Sequence, residues 1–474
     1  MRNDALGLTA REAVDLLRSG VLSPLELLDA ALARIAEVEP AVNALPTLCA
    51  ERARAAVARL DRGERDHPGW LAGLPIVVKD LNDVAGVRTT YGSPIFADHV
   101  PERSDILVER LEARGAIVIA KSNTPEFGAG ATTFNDVFGK TRNPWDTAKT
   151  CGGSSGGSAA ALACGEAWLA TGSDFGGSLR IPASFCGVVG LRPSPGRVAH
   201  GPAPLPFDAL SVDGPMGRTV GDVALLLDAM SGEHPADPLS LAAPVRPFTS
   251  AVERARVPER VAFSPDLGGI MPVAGEVRDI CAAAARRFER LGARVDQASP
   301  DLSGAREIFQ TLRAANYAAR MAPLLENHRS ELKPEVVWNI EAGLRLSARE
   351  IGHAERARAK LYARVAAFFE RYPLLLCPAV LVAPFDVDVR YVEYVDGQRF
   401  ETYVDWLIAT FAITLTALPA LSVPCGFTPA GLPVGLQMVG PPRGEALLLS
   451  AAAAFEAAAG LTARTPLDPI AVSA

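Results

Sequence analysis

The chain has 474 residues, 49% hydrophobic and 21% charged, with a formal net charge of −7. That length can bury a large core, and the acidic balance argues against an autonomous nucleic-acid binder, which carries a basic face. No apolar run approaches 18 residues and the start, MRNDALGLTAREAV, lacks an apolar signal region, so the expectation is a cytoplasmic protein with no membrane span.

The seven cysteines (49, 151, 164, 186, 281, 377 and 425) are scattered without a CxxC pair, which fits free thiols in a reducing compartment. The six histidines show no HExxH or other ligand spacing, so neither a metal nor another cofactor is expected.

Two helices open the chain. Thr9-Ala10-Arg11-Glu12 is a capping box, and Gly20 ends the helix that follows it. Ser23-Pro24-Leu25-Glu26 is a second box, with Leu27, Leu28, Ala31 and Ile35 at helical spacing. Leu74 to Val78 reads as a buried strand that delivers Lys79 at its end. Ser104 caps a helix to Arg114, and Ala116 to Ala120 is the next strand. Further strands are expected at Glu166 to Ala170, Arg260 to Phe263 and Ala293 to Asp296. Alternation of this kind indicates an α/β fold. Thr219 starts a helix to Met230, and Ser347 caps one that reaches Arg371. Leu241 to Pro258 is a connector, and Ala379 to Phe400 is an irregular loop near a pocket mouth. Leu421 to Pro424 and Val434 to Val439 are strands, and Arg443 to Ala459 is the last helix.

The chemistry gathers between Thr150 and Cys186, in two glycine–serine clusters, Gly152 to Ser158 and Gly172 to Ser178. Glycine loses the most chain entropy on folding, and close backbone approach to a reacting group is the usual recompense. In the second cluster, Gly176-Gly177-Ser178 lets peptide N–H groups converge beside a hydroxyl, with a helix starting near Ser178. That is the composition of an oxyanion hole beside a nucleophile. A plain glycine turn with a serine helix cap explains the same residues.

A serine nucleophile needs a base. Both Gly152-x-Ser154-x-Gly156 and Gly153-x-Ser155-x-Gly157 match the nucleophile-elbow pattern, but Asn143 to Thr147 before them does not read as a strand. The last histidine, His353, is far from the C-terminus, whereas the elbow fold expects a late histidine. Lys79 is the better base, since burial at a strand end favours the neutral amine. The competing reading is a lysine that snorkels to solvent.

Several blocks together resemble the amidase signature family. They are Leu74 to Asp80, Lys121 to Phe127, Arg142 to Asp146, Gly152 to Ser158, Gly172 to Ala183, Gly190 to Ser194, Gly214 to Val220, Pro419 to Pro424 and Gly431 to Gln437. The resemblance spans most of the chain. It implies a large mixed β-sheet core flanked by helices on both faces, folded as one domain over residues 1–474. Within it, N-terminal helices occupy about 5–65, the catalytic core about 70–235 and the C-terminal part of the same sheet about 255–474. It also implies a Ser–Ser–Lys triad, with Ser178 the nucleophile, Ser154 the bridging serine on a cis peptide bond, and Lys79 the base. The N–H groups of Phe175, Gly176, Gly177 and Ser178 would hold the oxyanion, supported by Ser155, Asp174 and Arg180.

Pocket residues are expected in Phe127 to Thr133 and Ala379 to Trp406, with Phe127, Gly128, Tyr403 and Trp406 foremost. Phe134, Tyr391, Tyr394 and Phe400 add to an aromatic character that suits an apolar or aryl group. The activity implied is hydrolysis of a small-molecule carboxylic amide, extending to esters and carbamates, by a monomer or homodimer. The alternative is the glutaminase subunit of a tRNA-dependent amidotransferase, which works in a complex. Ile413 to Leu418 departs from the Asn-Leu-Ala-Gly type of run associated with those subunits. A non-catalytic nucleotide binder is a third reading, but no Gly-x-x-x-x-Gly-Lys-[Ser/Thr] exists here.

Overall fold

Capping chemistry sets the helix starts where the sequence places them. Helix α1 (Ala10–Ser19) and helix α2 (Pro24–Val42) open on reciprocal boxes at Thr9/Glu12 and Ser23/Glu26. Gly20 closes α1 in the left-handed region at φ 74°. The computed structural model describes residues 2–60, 65–461 and 464–471; parts of the expected N-terminal (61–64) and C-terminal (462–463, 472–474) regions lie outside the described residues.

One eleven-stranded sheet crosses the molecule. In chain order its strands are β1 (Thr47–Leu48), β2 (Pro75–Lys79), β3 (Ile117–Ser122), β4 (Leu169–Asp174), β5 (Val189–Arg192) and β6 (Val212–Gly217). Then follow β7 (Arg260–Phe263), β8 (Arg294–Gln297), β9 (Leu375–Pro378), β10 (Ala420–Phe427) and β11 (Pro433–Val439). Across the sheet the order is β1-β3-β2-β4-β6-β5-β10-β11-β9-β7-β8. The sheet is mixed: β2 runs parallel to β3 and β4, whereas β6 pairs antiparallel with β4 and β5. Ile76, Val77 and Val78 of β2 and Val118, Ile119 and Ala120 of β3 are all buried in the main apolar core. Near-continuous apolar runs of this kind belong to strands covered on both faces, and helices cover both faces here.

The site lies among the central strands. Helix α3 (Gly156–Cys164) follows the first glycine–serine cluster and helix α4 (Arg180–Cys186) follows the second. Ser158 locks α3 to the sheet: its hydroxyl lies 2.7 Å from Ser122 Oγ and donates to the Thr171 carbonyl at 2.8 Å. Later helices are α5 (Val220–Met230), α6 (Ala305–His328), α7 (Pro334–Leu344), α8 (Ala348–Arg371), α9 (Ile408–Thr414) and α10 (Glu445–Ala459). Boxes at Thr219/Asp222 and Ser347/Glu350 start α5 and α8.

Several local expectations are corrected. The helix before β3 spans Ile106–Ala113 with Asp105 at its N-cap; Ser104 Oγ instead accepts from the Ala85 N–H at 2.9 Å. Strand β4 starts at Leu169 rather than Glu166, because Gly165 and the buried Glu166 form the turn out of α3. Residues around Asn143 do form strand: Arg142–Asn143 pairs with Asp146–Thr150 in a ribbon separate from the main sheet. Asn143 makes the tight turn, its Oδ1 accepting from the Trp145 N–H at 3.0 Å. The connector at 241–258 contains a short helix, Phe248–Glu253, and the loop at 379–400 contains a hairpin, Tyr394–Val395 against Gln398–Arg399.

Candidate active site

Lys79 ends β2, and its backbone N–H donates to Thr171 Oγ1 of β4 at 3.0 Å. The side chain is fully buried. Its Nζ donates to Ser154 Oγ at 2.7 Å, Ser155 Oγ at 2.9 Å and Ser173 Oγ at 3.0 Å. No carboxylate is within ion-pair reach among the described residues, whereas the neighbouring buried lysine, Lys121, pairs with Asp80 at 3.0 Å. Burial lowers the Lys79 amine to about 7, against an upward pull from Asp213 and Asp174. A buried ammonium is stabilised by a charged partner; one held only by hydroxyls releases its proton readily.

The two serine clusters meet through the backbone, where the Ser155 N–H donates to the Ser178 carbonyl at 3.2 Å. Ser155 also grips β4, since its hydroxyl accepts from the Ser173 N–H at 3.3 Å. The Gly153–Ser154 peptide is cis, as the resemblance implies. Gly152 to Ser158 is therefore pressed against both β4 and the 175–178 turn. Gly157 shows why no side chain fits: a Cβ there would lie 2.4 Å from Asn123 N.

The 175–178 turn is held from behind by Asp174. Its carboxylate accepts from the Gly177 N–H at 2.9 Å and the Leu179 N–H at 3.2 Å. Arg180 clamps it in bidentate fashion, Nε to Oδ2 at 3.0 Å and Nη2 to Oδ1 at 2.9 Å, and Arg192 adds a contact at 3.2 Å. Burial alone would raise this carboxyl, but the two guanidiniums overcome it and hold the group at about 2. The expectation that Gly177 points its N–H at the oxyanion is corrected, because Asp174 takes that donor. Phe175, Gly176 and Ser178 keep N–H groups with no protein acceptor among the described residues. Thr410 of α9 completes the clamp by donating to the Gly176 carbonyl at 2.6 Å. Gly177 sits at φ 126°, and a Cβ there would lie 2.1 Å from Thr410 Oγ1.

Asp174→Asn is expected to destabilise the fold by about 3–5 kcal/mol, since Arg180 and Arg192 are both fully buried and would lose their shared countercharge. Urea unfolding of the variant against the wild type measures this; an unchanged midpoint would contradict it.

A cavity of about 310 Å³ opens in front of the serines. Ser154, Ser173 and Ser178 border it, and Lys79 lies behind them. Phe127 and Gly128 line it, and Gly128 packs close to the Ser154 side chain. Tyr403 and Trp406 are not wall residues, and neither are Phe134, Tyr391, Tyr394 and Phe400. Tyr403 stands one layer back, its hydroxyl accepting from Arg313 Nη2 at 2.7 Å. Arg313 in turn lies over the rings of Phe175 and Tyr317. Trp406 is buried against Phe385 in the core. The aromatic wall is built instead from Tyr91, Phe96, Phe127, Phe175 and Tyr317. Tyr91, Phe96 and Tyr317 escape a reading of the sequence because they come from separate stretches without local signal. Ser173 was legible, since it belongs to the Gly172 to Ser178 cluster.

The model of the Amidase family matches residues 26–449. An acylamidase of Rhodococcus erythropolis is 35% identical over 98% of both chains. A glutamyl-tRNA(Gln) amidotransferase subunit of Moorella thermoacetica is 37% identical over 97% of this chain and 98% of its own. The crystal structure of a bacterial aryl acylamidase of the amidase signature family superimposes with a TM-score of 0.90 at 28% identity, covering 98% of this chain and 99% of that one. With the family model spanning most of its length and relatives above 30% identity covered almost end to end, this chain belongs to the amidase signature family.

Proposed function

We propose that the protein is a hydrolase that cleaves a carboxylic amide through an acyl-enzyme on Ser178, with apolar or aryl amides as its substrates. One observation carries the reading: Lys79 is sealed behind the cavity wall, while Ser154 touches both Lys79 and the cavity that Ser178 borders. A proton can therefore travel from the reacting group to the buried amine only through a side chain in the wall.

In the first step Ser178 Oγ bonds to the carbonyl carbon. Its proton passes to Ser154 Oγ, and the Ser154 proton passes to the neutral Lys79 Nζ. The N–H groups of Phe175, Gly176 and Ser178 receive the oxyanion. When the tetrahedral intermediate collapses, the C–N bond breaks and the relay returns the proton from Lys79 to the leaving nitrogen. An amine anion is a poor leaving group, so this return proton is what amide cleavage demands. Water then attacks the acyl-enzyme by the same route, releasing the carboxylic acid and restoring Ser178. Ser155 and Ser173 hold the lysine amine in place and orient its lone pair toward Ser154. The rings of Tyr91, Phe96, Phe127 and Tyr317 favour an apolar or aryl substituent. Esters and carbamates are subject to the same acyl chemistry.

The relatives that belong to amidotransferases support a second reading, in which glutamine is the amide and the ammonia goes to a partner. The purified chain alone is expected to hydrolyse 4-nitroacetanilide and to release no ammonia from glutamine. Glutaminase activity without anilide turnover would reverse that choice, and turnover of neither would remove the hydrolase reading.

A further inference from the structure

Between Asp174 and Ser178 the backbone of the turn is held by hydrogen bonds at every peptide but one. Arg192 Nη1 donates to the Asp174 carbonyl, which fixes the peptide carrying the Phe175 N–H. The Gly176–Gly177 peptide is held on both sides, by Thr410 at its carbonyl and by Asp174 at its N–H. The Gly177 carbonyl accepts from the Arg180 and Ile181 N–H groups at 2.9 and 2.8 Å, which fixes the peptide carrying the Ser178 N–H. The Phe175–Gly176 peptide differs: neither its carbonyl nor its N–H makes a hydrogen bond with a described residue. Its anchor is the Phe175 side chain.

One face of a helix grips that ring. Phe309, Arg313 and Tyr317 follow one another four residues apart on α6 and so share a stripe. Phe309 meets the Phe175 ring edge-on at 5.8 Å, and Tyr317 stacks on it at 6.4 Å with the planes 9° apart. The Arg313 guanidinium lies 5.4 Å from the Phe175 centroid and 4.5 Å from that of Tyr317.

Arg313 is the costly member of the stripe. It is 4% exposed and has no carboxylate partner among the described residues, whereas Arg180 and Arg192 share Asp174. Its Nη2 donates to phenol oxygens instead, Tyr403 at 2.7 Å and Tyr317 at 3.2 Å. Tyr403 is held in turn by the Asn339 amide of α7 and by an edge contact with Trp338 at 5.8 Å. A buried charge without a countercharge weakens a fold, so an apolar side chain of similar volume would serve packing better. What the guanidinium supplies is a directed attraction to ring faces, locked by its planar fork. The chain from Asn339 through Tyr403 and Arg313 to Phe175 ends on the peptide that hydrogen bonds leave unheld.

We propose that Arg313 is a positioning residue for the oxyanion site: through the Phe175 ring it sets the direction of the Gly176 N–H. Arg313 is not itself a wall residue of the cavity. This rests on the acyl-enzyme reading and adds to it a residue that acts wherever negative charge forms on the carbonyl oxygen.

Arg313→Met keeps most of the volume and removes the charge. It is expected to lower kcat/KM about tenfold on a 4-nitroanilide and on the 4-nitrophenyl ester of the same acid alike, because the oxyanion forms on both. A loss confined to the anilide would place Arg313 in the proton relay and overturn the proposal. Matched ketone inhibitors separate positioning from cavity shape. Ser178 Oγ adds to a trifluoromethyl ketone and leaves an oxyanion in the turn, whereas the methyl ketone analogue stays a carbonyl. The inhibition constant of the first should rise about tenfold in Arg313→Met, and that of the second should stay within about twofold. Tyr403→Phe removes only the oxygen that locks Arg313 and should move the ratio of the two constants the same way. A ratio unchanged in Arg313→Met, or in Tyr403→Phe where the methionine variant does not fold, overturns the positioning role. Wild-type protein that cleaves neither substrate and does not distinguish the two ketones overturns the acyl-enzyme reading beneath it.

Discussion

Ser178→Ala is expected to lower anilide turnover by roughly 10⁴-fold or more, because the alanine offers no atom to form the acyl bond. Ser178 is 9% exposed at the cavity, and its hydroxyl makes no hydrogen bond with any described side chain, so the fold loses little when it goes. Thermal unfolding should therefore stay near the wild-type midpoint while the rate collapses. Mass spectrometry after incubation with an aryl ester should show a transient acyl adduct on the wild type and none on the variant. Full activity in Ser178→Ala would remove the nucleophile from the mechanism.

The second large effect falls on the buried lysine. Lys79→Ala is expected to reduce amide turnover by roughly 10²–10⁴-fold, the range that a positioned proton acceptor and donor contributes. Esters should suffer less, since an alkoxide or phenoxide leaves with less help than an amine anion needs. The pH dependence distinguishes a chemical role from a structural one. In the proposed relay Lys79 acts as the neutral amine, and burial lowers it to about 7. Wild-type kcat/KM should therefore rise as the pH increases through about 7 and level off above it. In Lys79→Ala that rise should vanish from the residual activity. A wild-type profile flat between pH 6 and 8, or an unchanged inflection in the variant, would rule out the lysine as the titrating base.

The arrangement explains why three hydroxyls surround one amine. Ser154 and Ser173 both stand between Lys79 and the cavity, whereas Ser155 holds the amine from behind the wall. The clamp on Asp174 does comparable work for the turn that follows β4. It consumes the Gly177 donor and, with Thr410, fixes the loop so that neighbouring N–H groups stay unspent. Preorganised donors of this kind need no rearrangement as charge develops.

Much of this was written locally in the chain. Helix starts were readable at Thr9, Ser23, Thr219 and Ser347 because a capping box is a contact between residues three apart. The strand ending in Lys79 was readable because burial on both faces demands a continuous apolar run. The glycine–serine clusters marked the stretch whose serines gather around Lys79, since backbone packed against backbone admits no side chain. Boundaries failed where a local signal had two uses. Ser104 has a capping residue's chemistry, but its hydroxyl serves Ala85 and leaves the N-cap to Asp105.

Tertiary structure decided what depended on distance between separate stretches. The pairing of β2 with β4 brings Lys79 to serines 75 and more residues onward, and its burial there sets the amine's proton affinity. The Gly177 N–H could not be assigned from composition, because the direction of a peptide donor depends on the turn and on Asp174 beneath it. The cavity wall was the least legible part. Tyr403 and Trp406 have the chemistry of pocket residues but stand behind the wall, while Tyr91, Phe96 and Tyr317 converge on it from distant segments. Local sequence determined which groups could react; packing of the sheet and its helices determined which of them face one another.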